Sequence, residues 1–229
     1  MNFKDAINIL KYHGLLKGIK RIKDEFFETI LFDFYFNVKT RKLKLQEEYN
    51  DKNFIIGEHK WYQPTYYSPL KKISIYLNKL VQNEKNLIIF DLGTGYGKPL
   101  LILNNFIKKN NFLIGVELDK SFEKIFRYNV NKYNENNWFI NKKVEEIDYQ
   151  KTIDKFSLKD FVIIVHNKNS FSKEITKNNL HVWRNLSFKL KKKIYYIYSN
   201  PEFSELFTEE LIFSTEGWHK NYNINLYKL

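Results

Sequence analysis

The sequence predicts an α/β fold: a Rossmann-like, open, mostly parallel seven-stranded sheet with helices on both faces, a C-terminal antiparallel hairpin and a helical N-terminal extension. Three observations predict it. From Leu87 onward, short apolar runs alternate with segments of helical period. The runs Phe161–Val165 and Ile194–Tyr198 are apolar or aromatic throughout, as parallel strands covered on both faces must be. The first run, Leu87–Phe90, leads into a glycine-rich turn that opens a helix, which is where such sheets bind ligands.

The elements follow in order. Ile19, Ile22, Phe26, Phe27, Ile30 and Leu31 recur at helical spacing, so residues 17–32 read as an amphipathic helix. Its Lys17, Lys20, Arg21 and Lys23 read as a solvated face. Asn37 to Lys60 is irregular and polar, an arm lying across the main domain. The expected division is an extension and arm over 1–60 and a main domain over 61–229. A helix is predicted from Pro69 to about Val81, with Ile73, Leu77 and Leu80 on one face and Pro69 in its first turn. After the Leu87–Phe90 strand comes a helix over 98–109, opened by Pro99. Phe112–Val116 is the next strand, followed by a helix over 119–133. A weaker strand lies near Trp138–Ile140. The strand Phe161–Val165 precedes a helix over about 171–190 and the strand Ile194–Tyr198. Residues 209–228 read as two strands joined near Glu216 and Gly217, with Tyr222, Ile224 and Leu226 alternating with polar residues.

Composition limits the function. The 229 residues suit one domain with an extension. There is no cysteine, which excludes disulfides and thiolate metal sites. No apolar run reaches the roughly 18 residues of a spanning helix, and Met1–Asp5 lacks a signal-peptide core, so the expected location is cytoplasmic. The net charge of +12 invites an acidic partner such as nucleic acid. The basic residues are 34 Lys and only 4 Arg, without the Arg clusters that make bidentate contacts to nucleic acid, so that partner is not favoured.

The chemistry centres on Asp91-Leu92-Gly93-Thr94-Gly95-Tyr96-Gly97. Glycine tolerates positive φ and lets a ligand approach the backbone. The helix that follows offers free N–H groups and a positive dipole end to a carboxylate or phosphate. The spacing is G-x-G-x-G, not the G-x-G-x-x-G of a dinucleotide site. An acid at Asp91 disfavours pyrophosphate but can face an ammonium group. Glu117 stands at the end of the second strand, 26 residues on, where a carboxylate can accept the hydroxyls of a ribose. An amino acid at one end and a nucleoside at the other describe S-adenosylmethionine. A third acid is expected near the adenine amine, and Glu145 is chosen, with Glu146 and Asp148 close alternatives. At the end of the fourth strand Asn167 is the candidate to orient the nucleophile, against a capping or turn role for the local Asn/Ser cluster. His166 has the chemistry of a base, but a lone histidine is more often structural. The five histidines are scattered and show no metal-ligand spacing.

These residues carry a family resemblance. About residues 30–229 resemble a bacterial group of class I S-adenosylmethionine-dependent methyltransferases of poorly defined substrate. The matching pieces are Phe32-Asp33-Phe34, Val38-Lys39-Thr40, Tyr62-Gln63-Pro64-Thr65, Phe90–Gly97, Ile114–Leu118 and Ile197–Pro201. The resemblance implies that Asp91, Gly93, Gly95, Gly97 and Glu117 bind the cofactor and that Tyr62 and Thr65 close over it. The group usually has Asn-Pro-Phe after the fourth strand, whereas here Asn167 is followed by Lys168-Asn169-Ser170-Phe171. More distantly the chain resembles non-SET protein-lysine methyltransferases, which implies a lysine amine as acceptor; apart from that resemblance a small molecule, a glycan and a nucleic acid stay open. Two other functions compete: a non-catalytic cofactor-binding module of the same fold, and a nucleotide-dependent oxidoreductase that the glycine spacing disfavours.

Overall fold

The computed structural model describes residues 10–11, 14–40, 65–168, 171–215 and 223–229 of the protein. Seven strands form one sheet: β1 (Asn86–Leu92), β2 (Asn110–Glu117), β3 (Asn137–Asn141), β4 (Val162–Lys168), β5 (Ile194–Ser199), β6 (Leu211–Thr215) and β7 (Ile224–Lys228). Their order is β3-β2-β1-β4-β5-β7-β6. The first five are parallel, and β7 runs antiparallel between β5 and β6. Chain order reverses between β1 and β4, so the carboxyl ends of these strands flank the crevice where such sheets take ligands.

The central strands are apolar on both faces because both are covered. Every residue of β4 and β5 is buried. On one face Ile89, Ile164, Ile197 and Leu226 pack with α3 (Tyr67–Leu80) and α4 (Lys98–Phe106). On the other, Phe90, Val165 and Tyr196 pack with Tyr149 of α6 (Tyr149–Asp154) and Trp183 of α7 (Lys173–Leu190). The helix α5 (Glu123–Asn131) sends Phe126 and Val130 into the first core. Gly115 in β2 admits this packing. A Cβ there would lie 2.4 Å from the Phe126 ring and 2.7 Å from Thr94 Cγ2.

The structure redraws several helix ends. The segment predicted over 119–133 begins as a 3-10 turn, Lys120–Phe122, because the Asp119 carboxylate caps the Ser121 N–H. Ser172 caps α7 by accepting from Ile175 N–H, so Phe171 stays outside the helix. The short α6 carries too few residues for its period to be read from sequence. The C-terminal strands are antiparallel as expected, and their expected joint at Glu216 and Gly217 lies outside the described residues.

The N-terminal helix differs most. It divides into α1 (Leu15–Phe26), a π-helical turn (Phe27–Leu31) and α2 (Phe32–Tyr35). Ile19, Phe26 and Leu31, expected on its buried face, are 51%, 45% and 37% exposed. Anchorage passes instead to Phe32, Phe36 and Val38, all buried in the first core. Phe27 stacks on Tyr67 with ring centroids 4.7 Å apart. Glu28, in the π turn, accepts from Tyr67 N–H and from the Lys98 ammonium. Lys98 is 2% exposed, and its ammonium also lies 4.2 Å above the Phe32 ring. Beyond this, Asn129 of α5 accepts Lys39 N–H at 2.8 Å and donates to the carbonyls of Lys39 and Tyr96, each at 2.9 Å. The segment is thus tied to the glycine turn. The division expected near residue 60 falls outside the described residues.

Breaking a buried pair leaves an uncompensated charge. Lys98→Met alone, which strands Glu28, is expected to cost about 3–5 kcal/mol, and adding Glu28→Gln to recover most of it. Urea denaturation midpoints of both variants check this; equal loss in the single and double variants contradicts it.

Candidate functional site

The site is built on the turn between β1 and α4. Gly93, Gly95 and Gly97 have φ of 74°, 50° and 80°. These left-handed values turn the chain from strand to helix within five residues, and only glycine adopts them freely. The glycines are not equivalent. A Cβ on Gly97 would lie 2.7 Å from Val130 Cγ2, so this position is needed for packing against α5. A Cβ on Gly93 would meet only Phe171, at 3.5 Å, which is ordinary contact. Gly93 therefore serves the backbone turn and leaves room beside it.

The turn is held to the end of β2. Gly93 N–H and Thr94 N–H both donate to the Val116 carbonyl at 2.9 Å. Gly95 N–H donates to Glu117 Oε2 at 3.0 Å. The other oxygen of Glu117 accepts from Leu118 N–H at 2.9 Å and Asp119 N–H at 3.2 Å. A carboxylate offers about four lone-pair sites. Three backbone donors leave room for one more partner, on the oxygen shared with the glycine turn. Burial pushes the Glu117 carboxyl above its ordinary range, the three N–H groups pull it back, and the charge of Asp91 raises it further.

Asp91 stands one strand away, and both its oxygens are engaged. Oδ2 accepts from Thr94 Oγ1 at 2.7 Å, and Oδ1 lies 2.7 Å from His166 Nδ1. His166 Nε2 lies 2.9 Å from Ser199 Oγ. All three members of this chain are buried, 1–2% exposed. A carboxylate only accepts, so Nδ1 carries the ring hydrogen and, in the neutral ring, Nε2 takes that of Ser199. The network crosses β1, β4 and β5, because parallel register sets Asp91 beside His166 and brings Ser199 two residues past Ile197, its register partner.

The other expected residues fall in different places. Glu145 is exposed, in a 3-10 turn after β3. Its neighbour Asp148 caps α6 by accepting Lys151 N–H at 2.8 Å. Asn167 is fully buried, and its Nδ2 donates to Tyr196 Oη at 2.8 Å. It neighbours His166 in the strand and so faces the opposite side of the sheet. Its Oδ1 has no hydrogen-bond partner. Thr65 is 5% exposed, its Oγ1 also has no partner, and it lines a small cavity with Lys168 and Ser199. Tyr62 lies outside the described residues. The sequence reading passed over Ser199, Asn129 and the Glu28–Lys98 pair. Strand register and helix docking bring them in, and no short motif marks either. Among the described residues no cluster of three or more His, Asp or Glu could hold a metal ion. Among the same residues no helix is long and apolar enough to cross a membrane.

The raised carboxyl of Glu117 fixes the sign of a pH effect. A folded-state value above the unfolded one contributes stability that is fully present below the ordinary carboxyl range. That stability is lost as pH rises through the raised value. Glu117→Gln is expected to flatten that fall while lowering the melting temperature at every pH, because its NH2 faces a backbone N–H that the carboxylate receives. Thermal unfolding across pH 4–8 checks it, and an unchanged slope contradicts it.

No family model matches the sequence, and no curated protein matches it. Solved structures do. The methyltransferase domain of METTL16 overlays all of this chain and 81% of its own, with a TM-score of 0.55 at 14% identity. TrmN from Thermus thermophilus overlays 69% of the chain at 11% identity and a TM-score of 0.47. This chain spans about half the length of that protein, 48%. The S-adenosylmethionine-dependent O-methyltransferase of Thermotoga maritima overlays 77% of this chain and 60% of its own at 14% identity, with a TM-score of 0.43. At these identities the likeness is one of architecture, and that architecture is the class I methyltransferase fold.

Proposed function

We propose that the protein transfers a methyl group from S-adenosylmethionine, with the cofactor seated between the glycine turn and Glu117. One observation carries this reading: Gly95 N–H and Glu117 Oε2 meet at 3.0 Å, so the turn suited to an amino-acid end and the acid suited to a ribose form one continuous surface. The pieces fit the ligand. The space beside Gly93 accommodates a close backbone approach, and the first turn of α4 presents N–H groups with no intrahelical partner to a carboxylate. Glu117 retains one acceptor site for a ribose hydroxyl. Asp91 contributes negative potential near the ammonium end while its oxygens hold Thr94 and His166. Gly97 shapes the turn, the family resemblance would have Tyr62 and Thr65 close over the cofactor, and Glu145 is the third acid proposed for the adenine amine.

Bound there, S-adenosylmethionine would supply an electrophilic methyl that an amine nitrogen takes, the C–S electron pair staying on sulfur and the product ammonium then losing a proton to water. The chain's part is alignment and exclusion of water. His166 is spent at both nitrogens, which favours an acceptor that needs no strong base, such as the neutral amine of a lysine or small molecule. Asn167, the candidate to orient the acceptor, keeps an open Oδ1 but is fully buried on the face of the sheet opposite His166 and Ser199. A second reading, a cofactor-binding module without transfer, is favoured by the complete burial of Asn167 and its bond to Tyr196.

Calorimetry of the full chain is expected to give tighter binding of S-adenosylhomocysteine than of NAD. Glu117→Ala is expected to weaken it about 10- to 100-fold, the loss of one hydrogen bond to a charged group. A folded chain that binds neither S-adenosylmethionine nor S-adenosylhomocysteine contradicts the proposal. Binding with no methyl transfer to any lysate component supports the module instead.

A further inference from the structure

At the carboxyl ends of β4 and β5 and the start of β7 lies a cavity of about 10 Å³. Its polar lining is Thr65, Lys168, Ser199 and Asn200, and its apolar lining includes Pro69 and Ile224. Two hydroxyl groups there are unusual. Thr65 Oγ1 is buried and has no partner, an unfavourable state that a ligand or water would relieve. With the His166 ring neutral and its Nδ1 hydrogen on Asp91, Ser199 Oγ gives its hydrogen to Nε2, and its lone pairs remain to accept. The Asp91 carboxylate at the far end of that chain polarises it in the same sense, making Ser199 a better acceptor.

We propose that this cavity is the acceptor subsite, and that it holds the N–H-bearing tip of a neutral primary amine between Ser199 Oγ and Thr65 Oγ1. The proposal rests on the methyl-transfer reading and adds to it the groups that receive the amine. Three features select the ligand. The volume holds about one water-sized group, which admits an amine tip and no aromatic or nucleobase ring. Pro69 and Ile224 offer apolar contact to a methylene stem. Methyl transfer itself selects the neutral form, because only an amine with its lone pair free attacks the methyl. His166 is a positioning residue in this arrangement. It touches no substrate, and it sets the direction of the Ser199 hydroxyl from a ring fixed by Asp91. The network thereby joins the cofactor end of the site to the acceptor end across three strands.

The test uses the full chain saturated with S-adenosylhomocysteine, with n-butylamine as probe and butyl methyl ether as a probe of similar shape without an N–H. Ligand-observed NMR titration reads amine affinity, and calorimetry of S-adenosylhomocysteine reads the cofactor end separately. Butylamine is expected to bind about ten times more tightly than the ether. Ser199→Ala and Thr65→Val are each expected to weaken the amine about 3- to 10-fold, the worth of one hydrogen bond. His166→Asn keeps an amide donor near Asp91 but removes the acceptor for Ser199. It should match Ser199→Ala and add nothing in the Ser199→Ala background, a pattern that a merely structural histidine would not give. Amine and ether of equal affinity, or amine binding untouched by Ser199→Ala, overturns the proposal while cofactor binding stands. Loss of S-adenosylhomocysteine rather than amine affinity in Thr65→Val assigns that hydroxyl to the cofactor and also overturns it. Failure of the unaltered, folded chain to bind S-adenosylhomocysteine overturns the underlying reading, and this one with it.

Discussion

The attachment of the glycine turn to the end of β2 is the constraint on which the rest depends. One carbonyl, Val116, receives two successive N–H groups of the turn, and the next acid, Glu117, receives a third from Gly95. The turn has little hydrophobic area of its own with which to hold its shape. These bonds fix it against a strand whose position is set by the sheet. Gly115 lets Phe126 and Thr94 come down onto that strand, and Gly97 lets Val130 reach the turn from the other side. A small number of glycines therefore determine the shape of the ligand surface, some by conformation and some by closeness of packing.

The N-terminal segment acts on the same turn from outside. Lys98 follows Gly97 directly, and burying its ammonium is tolerable only because Glu28 and the Phe32 face receive it. Burial raises the Glu28 carboxyl, while the ion pair and hydrogen bond with Lys98 oppose the rise. Asn129 joins Lys39 to Tyr96. Sequence and packing thus couple the order of residues 27–40 to the shape of the turn, although none of those residues belongs to the proposed cofactor surface.

Much of this was legible in the sequence, for physical reasons that differ by element. Strands β1, β4 and β5 announce themselves because burial on both faces demands continuous apolar runs. The turn is legible because positive φ at three alternate positions demands glycine. Glu117 is legible because a strand's end can be counted from its apolar run. What stayed hidden depends on register or docking. Asp91, His166 and Ser199 are far apart in the chain, and only the pairing of three parallel strands makes them one network. The exposed face of α1 also escaped the reading, because helical period states that a face is apolar and says nothing of what covers it. Asn167 lies within β4, which runs past the apolar run to Lys168, and sequence alone does not reveal which face of the sheet its side chain takes.

The central claim is that Glu117 and the glycine turn form one cofactor surface. A crystal structure of the full chain with S-adenosylhomocysteine tests it most directly. The account predicts a ribose hydroxyl on Glu117 Oε2, the amino-acid end along Gly93–Gly97, and the sulfur facing the ends of β4 and β5. A nucleoside seated away from Glu117, or a ligand bound elsewhere on the sheet, would contradict it.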